Sequence, residues 1–354
     1  MSTPACVLRD VCGLQAQLLS AAALGIRART TGLRRADITY ALNKERSMVR
    51  TWLMRGTLHV IATQDLGMLL GLLGPVFAAG KQARHAQLGL DEDLKRRGVT
   101  AIQGILSRAG PLTRNEIVDR LQRRGIKLDR KTQAPIHLIQ VAALEGVLCL
   151  GPDRENGEPT YVLIDDWVER PRSRSSRAAL GELARRYVAA YGPAGLEDLV
   201  AWSGLPVAQA RSAIAIALPA LAEVKVDGRS HLILKERIES VRERLPAKKT
   251  VRLLPAFDTY LLGYRSRELA VPVPLERRLQ RGGGWRHPAV VVGGRAVGAW
   301  SLRKARGRTQ LAIETVEPIN SALMEGIEAE VADVGRFLEM KVTLVSARLA
   351  PNPE

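Results

Sequence analysis

Residues 112–125 read LTRNEIVDRLQRRG, with Thr113 and Glu116 three positions apart. In that pattern a threonine hydroxyl and a glutamate carboxylate each satisfy an orphan amide at a helix start. The segment therefore begins a short amphipathic helix, and its surroundings extend the reading. Upstream, TAIQGILSRAG (100–110) has helical periodicity. Downstream, APIHLIQVAALEG (134–146) is a third helix, and VLCLGPDRENGEPTYVLI (147–164) is two strands around a turn-rich loop, the shape of a wing. Three helices and a β-hairpin make a winged-helix unit.

The same order recurs on both sides. In the first segment LLSAAALGIRART (18–30) and RRADITYALNKE (34–45) read as helices broken at Thr31-Gly32. SMVRTWLMRG (47–56) reads as a third helix, started by Ser47 and stopped by Gly56, and TLHVIA (57–62) as a strand. In the third segment ALGELARRYVAAYG (179–192), GLEDLVAWSG (195–204) and PVAQARSAIAIALPAL (206–221) are helices. AEVKVDGRSHLIL (222–234) is a hairpin turning at Asp227-Gly228. The Pro/Ser-rich stretch ERPRSRSSR (169–177) is a linker.

After residue 248 the pattern changes. TVRLLPAFDTYLLGY (250–264), PAVVVGGRAVGAWSLRKARGRTQLAIETV (288–316) and MKVTLVSARL (340–349) read as strands, and NSALMEGIEAEVADVGRFLEM (320–340) as one long helix. The expectation is an α+β chain with three tandem winged-helix units and a small barrel-like β domain. The boundaries are 1–95, 96–170, 175–240 and 248–350.

Composition bounds the function. The 354 residues carry 53 Lys and Arg against 36 Asp and Glu, a net charge of +17. So basic a surface faces nucleic acid, with an anionic membrane or a genome-wide arginine bias as the other sources of such a balance. Only 4% of residues are aromatic, which argues against an RNA-stacking surface. Cys6, Cys12 and Cys149 form neither a CxxC pair nor a disulfide framework, in keeping with a reducing cytoplasm. His59, His85, His137, His231 and His287 lack zinc-site spacing, so neither a metal nor any other cofactor is expected. The N-terminus has no signal-peptide core, and the apolar run MLLGLLGPVFAAG (68–80) is too short to span a bilayer and holds Pro75. It reads as a buried, kinked helix in a soluble protein. No long heptad helix offers a dimer interface, so a monomer is expected.

Several basic residues are candidates for DNA contact. Arg50, Arg55 and His59 fall at the recognition-helix position of the first unit, where a merely solvated helix face is the other reading. Arg303, Lys304, Arg306 and Arg308 gather where two strands turn. Such a tip can enter a groove or grip a backbone, and it can equally be a charged turn that blocks aggregation. Further basic pairs stand at Arg123-Arg124, Lys248-Lys249 and Arg277-Arg278. RGGGW (281–285) lacks the Lys-Ser/Thr ending of a phosphate loop and reads as a turn. Asp258, Tyr260 and Tyr264 lie close together, and a buried Asp holding a turn is favoured over a catalytic carboxylate.

The remaining feature is GLQAQLL (13–19), where Gln15 and Gln17 are two apart. On a helix they would point to nearly opposite sides; on extended backbone they face the same way. Gly13 permits such a backbone. The other reading is two polar residues decorating a helix.

GLQAQ, then VRTWLMRGTLH (49–59), LLPAFDTYLLGYRSR (253–267) and GGGWRHPAVVVGGRAVGAW (282–300), in that order, resemble the AlkZ-like (YcaQ-like) winged-helix DNA glycosylases. The resemblance spans nearly the whole chain. It implies three winged-helix units, a C-terminal β domain and a Gln-x-Gln catalytic motif matched by Gln15 and Gln17. Apart from the resemblance, the residues themselves offer Asp258 and Tyr264 as candidates for support of the site. The resemblance also implies a helix before the glutamines, for which only twelve residues precede Gly13. The implied activity is monofunctional excision of bulky N7-alkylated purines from double-stranded DNA, with no lysine Schiff base. Some members also unhook interstrand crosslinks made by genotoxic natural products. A nucleoid-associated cytoplasmic enzyme is expected. A non-catalytic winged-helix DNA-binding regulator would account for the charge and the repeats but not for the glutamines.

Overall fold

A computed structural model describes residues 3–169, 176–243, 250–281, 285–305, 308–318 and 320–348. The chain is mixed α+β and divides into two compact units, one drawn from 1–38, 185–202 and 218–354, the other from 39–184 and 203–217.

The second unit holds the Thr113–Glu116 capping pattern. The Thr113 amide donates to Glu116 at 2.7 Å and the Glu116 amide to the Thr113 hydroxyl at 3.3 Å, starting the helix Arg114–Arg123. With Glu92–Ala109 and Ala134–Leu144 it encloses a core of Ile102, Ile105, Ile117, Leu121, Leu138 and Ile139. The strands Leu148–Leu150 and Thr160–Leu163 follow as an antiparallel pair. They share a sheet with the first segment's strands, through Arg50 opposite Leu150. The rings of Trp52 and Tyr161 stack at 6.3 Å on that sheet.

One expectation fails here. SMVRTWLMRG is not a helix: Met48–Trp52 is a strand, paired antiparallel with Leu58–Ala62 and joined to it by a tight turn. Val49, Thr51 and Trp52 are strand formers, and cross-strand pairing outweighs the weak helical spacing. Ser47 caps nothing; its hydroxyl donates to Glu45. Arg55 and Gly56 both take the left-handed conformation (φ 56° and 64°), which reverses the chain. The apolar run forms the helix Leu66–Ala79, which continues through Pro75. Among the described residues no helix is long and apolar enough to cross a membrane.

In the first unit, helices Pro4–Asp10 and Leu19–Arg27 flank the glutamine segment. The hairpin Leu221–Val226 with Arg229–Leu234 turns at Asp227-Gly228, both at positive φ as a type I′ turn requires. The third helical segment, Ser176–Tyr191, Leu196–Ser203 and Val207–Ala217, divides between the two units.

The C-terminal sheet has five strands in the order Val342–Arg348, Arg308–Thr315, Arg295–Ala305, Ala289–Val292, Val251–Leu254, curled as half a barrel. Its one parallel pair, 308–315 with 342–348, is made possible by the crossover helix Ser321–Leu338. The expected strand over 250–264 stops at Leu254. Phe257 at φ 59° turns the chain, and Asp258 caps the short helix Thr259–Leu262. Lys248-Lys249, Gly282–Gly284 of RGGGW and most of the linker 169–177 lie outside the described residues.

Candidate active site

The segment bearing the glutamines is built from its ends inward. Helix Pro4–Asp10 closes with a reversal: Cys12 and Gly13 sit at φ 54° and 91°, and the Gly13 amide donates back to the Leu8 carbonyl at 2.8 Å. This Schellman-type ending ejects the chain sideways. Leu14 and Gln15 are then extended, and the next helix begins only at Leu19. So both glutamines precede the helix, Gln15 on the short extended stretch and Gln17 in the bend that follows it. Leu14 and Ala16 are buried, whereas Gln15 is half-buried and Gln17 exposed. Buried and more accessible residues thus alternate along 14–17.

Two buried networks hold the helix that follows this segment. Arg29 donates to both oxygens of Asp258, at 2.9 and 2.7 Å, and to the Gly25 carbonyl at 2.9 Å. Asp258 also accepts the Tyr260 amide at 2.9 Å. Its side chain has no exposure, and the expectation of a buried Asp holding a turn describes it well. The Asp258 carboxylate holds the Arg29 guanidinium above its ordinary range despite burial, which works against it. Arg27, 1% exposed, donates to Glu330, Asp333 and the Leu253 carbonyl, tying the same helix to the C-terminal sheet and its crossover helix.

Tyr264 donates its hydroxyl to the Tyr191 carbonyl at 2.8 Å, and its ring meets that of Tyr191 edge-on. Tyr191 in turn donates to the Val11 carbonyl at 2.8 Å, two residues before Gly13. Burial raises the Tyr264 and Tyr191 phenols well above their usual range, so both remain neutral donors. The sequence reading passed over Arg27, Arg29 and Tyr191. Two arginines closing an alanine-rich apolar helix were the available signal, since a buried guanidinium needs carboxylate partners.

The basic residues fall in two places. Arg50, Arg55 and His59 share the strand pair of the second unit, not a recognition helix. Burial pushes Arg50 below its usual range. His59 is 2% exposed, its Nδ1 bonded to the Thr57 carbonyl, and burial with Arg55 nearby lowers its pKa to about 3. A ring so buried is neutral and offers no charge to a phosphate. In the first unit Arg303, Lys304 and Arg308 are exposed at the end of a hairpin in which Ala305 lies opposite Arg308. Arg303 faces Glu314 at 3.9 Å. Arg306 lies outside the described residues.

Comparison with known proteins defines the class. The model of the AlkZ-like DNA glycosylase family matches residues 8–337. A curated protein of Streptomyces sahachiroi, described as an interstrand DNA cross-link repair glycosylase, is 29% identical over 342 residues, covering 93% of this chain and 89% of that one. The solved structure of Streptomyces sahachiroi DNA glycosylase AlkZ superposes with a TM-score of 0.81 at 27% identity, covering 98% of this chain and 94% of that one. The fold is thus that of a DNA glycosylase, an enzyme that hydrolyses N-glycosyl bonds in DNA. The chain belongs to the AlkZ-like DNA glycosylase family.

Proposed function

We propose that this enzyme excises bulky N7-alkylated purines from duplex DNA, unhooks interstrand crosslinks formed through them, and uses Gln15 and Gln17 to do so. The observation that carries the reading is the alternation along 14–17, ahead of the helix, where Leu14 and Ala16 are buried while Gln15 is half-buried and Gln17 exposed. N7-alkylation leaves the purine cationic, so it departs as a neutral base when the C1′–N9 bond breaks and its electrons move into the ring. Little general-acid help is needed. Positive charge then develops on the sugar, where a glutamine carbonyl stabilises it and holds the attacking water while the NH₂ group fixes the orientation. Water adds to C1′ and its proton passes to solvent. A carboxylate would be the stronger base, so a pair of amides suits labile, charged lesions over neutral bases.

A bulky or crosslinked nucleotide cannot be flipped into a snug pocket. In this reading the enzyme works as a monomer on DNA in the cytoplasm, with the basic hairpin at 303–308 and Arg50 and Arg55 contacting phosphates. It serves DNA repair, as the description of the Streptomyces sahachiroi relative supports, or self-resistance to a genotoxic natural product. The test is incubation with duplexes carrying an N7-alkylguanine or a natural-product crosslink, followed by alkali or heat. Strand scission at the lesion is expected; intact DNA throughout would refute the substrate assignment.

A further inference from the structure

We propose that Gly25, Arg29 and Asp258 are positioning residues that set where the strand carrying Gln15 stands against the helix that follows Gln17. This rests on the reading of the two glutamines as catalytic. A Cβ added at Gly25 would lie 3.3 Å from Leu14 Cδ1 and 3.4 Å from Asp258 Oδ2. The residue next to Gln15 and the buried carboxylate therefore meet over one bare point of the helix Leu19–Arg27. Glycine is a poor helix former, and its presence inside this helix is explained by that approach.

Arg29 closes the arrangement. Its fork holds the Gly25 carbonyl and both Asp258 oxygens at once, which a lysine cannot do. Asp258 is itself fixed by the Tyr260 amide. Nearer the start of the helix, Ala21 packs with Ala256 and Phe257 from the same turn that presents Asp258. The helix is thus clamped to the 256–258 turn near both ends, and Leu14 is 2% exposed against it. Any shift of the clamp moves Leu14, and Gln15 moves with it. Gly25 and the side chain of Asp258 are buried, so in this proposal the clamp acts through Leu14.

The experiment compares single-turnover excision of an N7-alkylguanine duplex by Gly25→Ala, Arg29→Lys, Asp258→Asn and the control Gln15→Ala. Enzyme concentration is varied so that maximal rate and half-saturation separate. Misplacement by a few tenths of an ångström should lower the maximal rate of Gly25→Ala by about tenfold, with half-saturation within about twofold of the parent. Alanine favours the helix, so this variant folds even if Asp258→Asn does not. Adding Leu14→Val, which removes the methyl that the new Cβ meets, should restore most of the rate; a merely structural role would show no such rescue. Arg29→Lys should lose about tenfold or more in maximal rate, since its charge remains while the fork is gone. If Gln15→Ala is inactive while Gly25→Ala and Arg29→Lys excise at the parental rate, the positioning proposal is overturned and the glutamine reading stands. If Gln15→Ala excises normally, the glutamine reading fails and takes this proposal with it.

Discussion

Asp258 presents both carboxylate oxygens to the guanidinium of Arg29, at 2.9 and 2.7 Å, and does so without any exposure of its own side chain. Leaving the guanidinium without its partner is the costly way to break such a pair. Asp258→Ala should therefore destabilise the fold by about 3 kcal/mol or more. Arg265 with Glu197 is the contrasting case, an exposed pair 2.7 Å apart, and Glu197→Ala should cost about 0.5 kcal/mol or less. Urea midpoints of the two variants check the contrast. Equal, small losses would mean that the buried pair contributes no more than a surface one.

Stability should fall on acidification before the carboxylates titrate. His59 is pushed down to about 3 and His137 to about 4, in both cases mainly by burial. In the unfolded chain these rings titrate near ~6.5, so below that pH the unfolded state binds more protons than the folded one. The stabilising contribution is complete above the unfolded value and is lost progressively as pH falls towards the folded values. The urea midpoint should be flat from pH 8 to 7 and decline between pH 6.5 and 5. A midpoint unchanged down to pH 5 would show that these rings charge freely in the folded state. An NMR titration in which His59 protonates near pH 6.5 would show the same for that ring alone.

The hairpin ending at Ala305 and Arg308 should bind DNA without stabilising the fold. Its exposed charges contribute little to packing, so Lys304→Ser, Arg306→Ser and Arg308→Ser together should shift unfolding by about 0.5 kcal/mol or less. For every phosphate that the variant no longer neutralises, the slope of log K against log salt should flatten by about 0.9. A triple variant with an unchanged melt, a slope flatter by about 2 and slower excision is expected. Unchanged slope and excision would leave the hairpin as a solubility device.

The legible parts of the sequence were those in which local chemistry decides local structure. Thr113 and Glu116 announced a capping box that the fold contains, and Asp227-Gly228 announced its turn, because both patterns are satisfied within a few residues. Met48–Trp52 was misread because its partner strand, rather than its own periodicity, decides its conformation. The same limit applied to the site. Gln15 and Gln17 were marked by spacing and by resemblance. Asp258 was marked as a support, but its partner Arg29 was not, because the two lie 229 positions apart and only the fold brings them together.

Gln15 and Gln17 are proposed to act on the transition state while other surfaces hold the DNA. The most direct measurement is single-turnover excision of an N7-alkylguanine duplex by Gln15→Ala and by Gln17→Ala, with duplex affinity and melting measured on the same preparations. Each variant should melt and bind like the parent and lose about a hundredfold or more in rate, the scale on which removing one oriented polar group from a charge-stabilising site is felt. Parental excision rates from two folded, DNA-binding variants would contradict it.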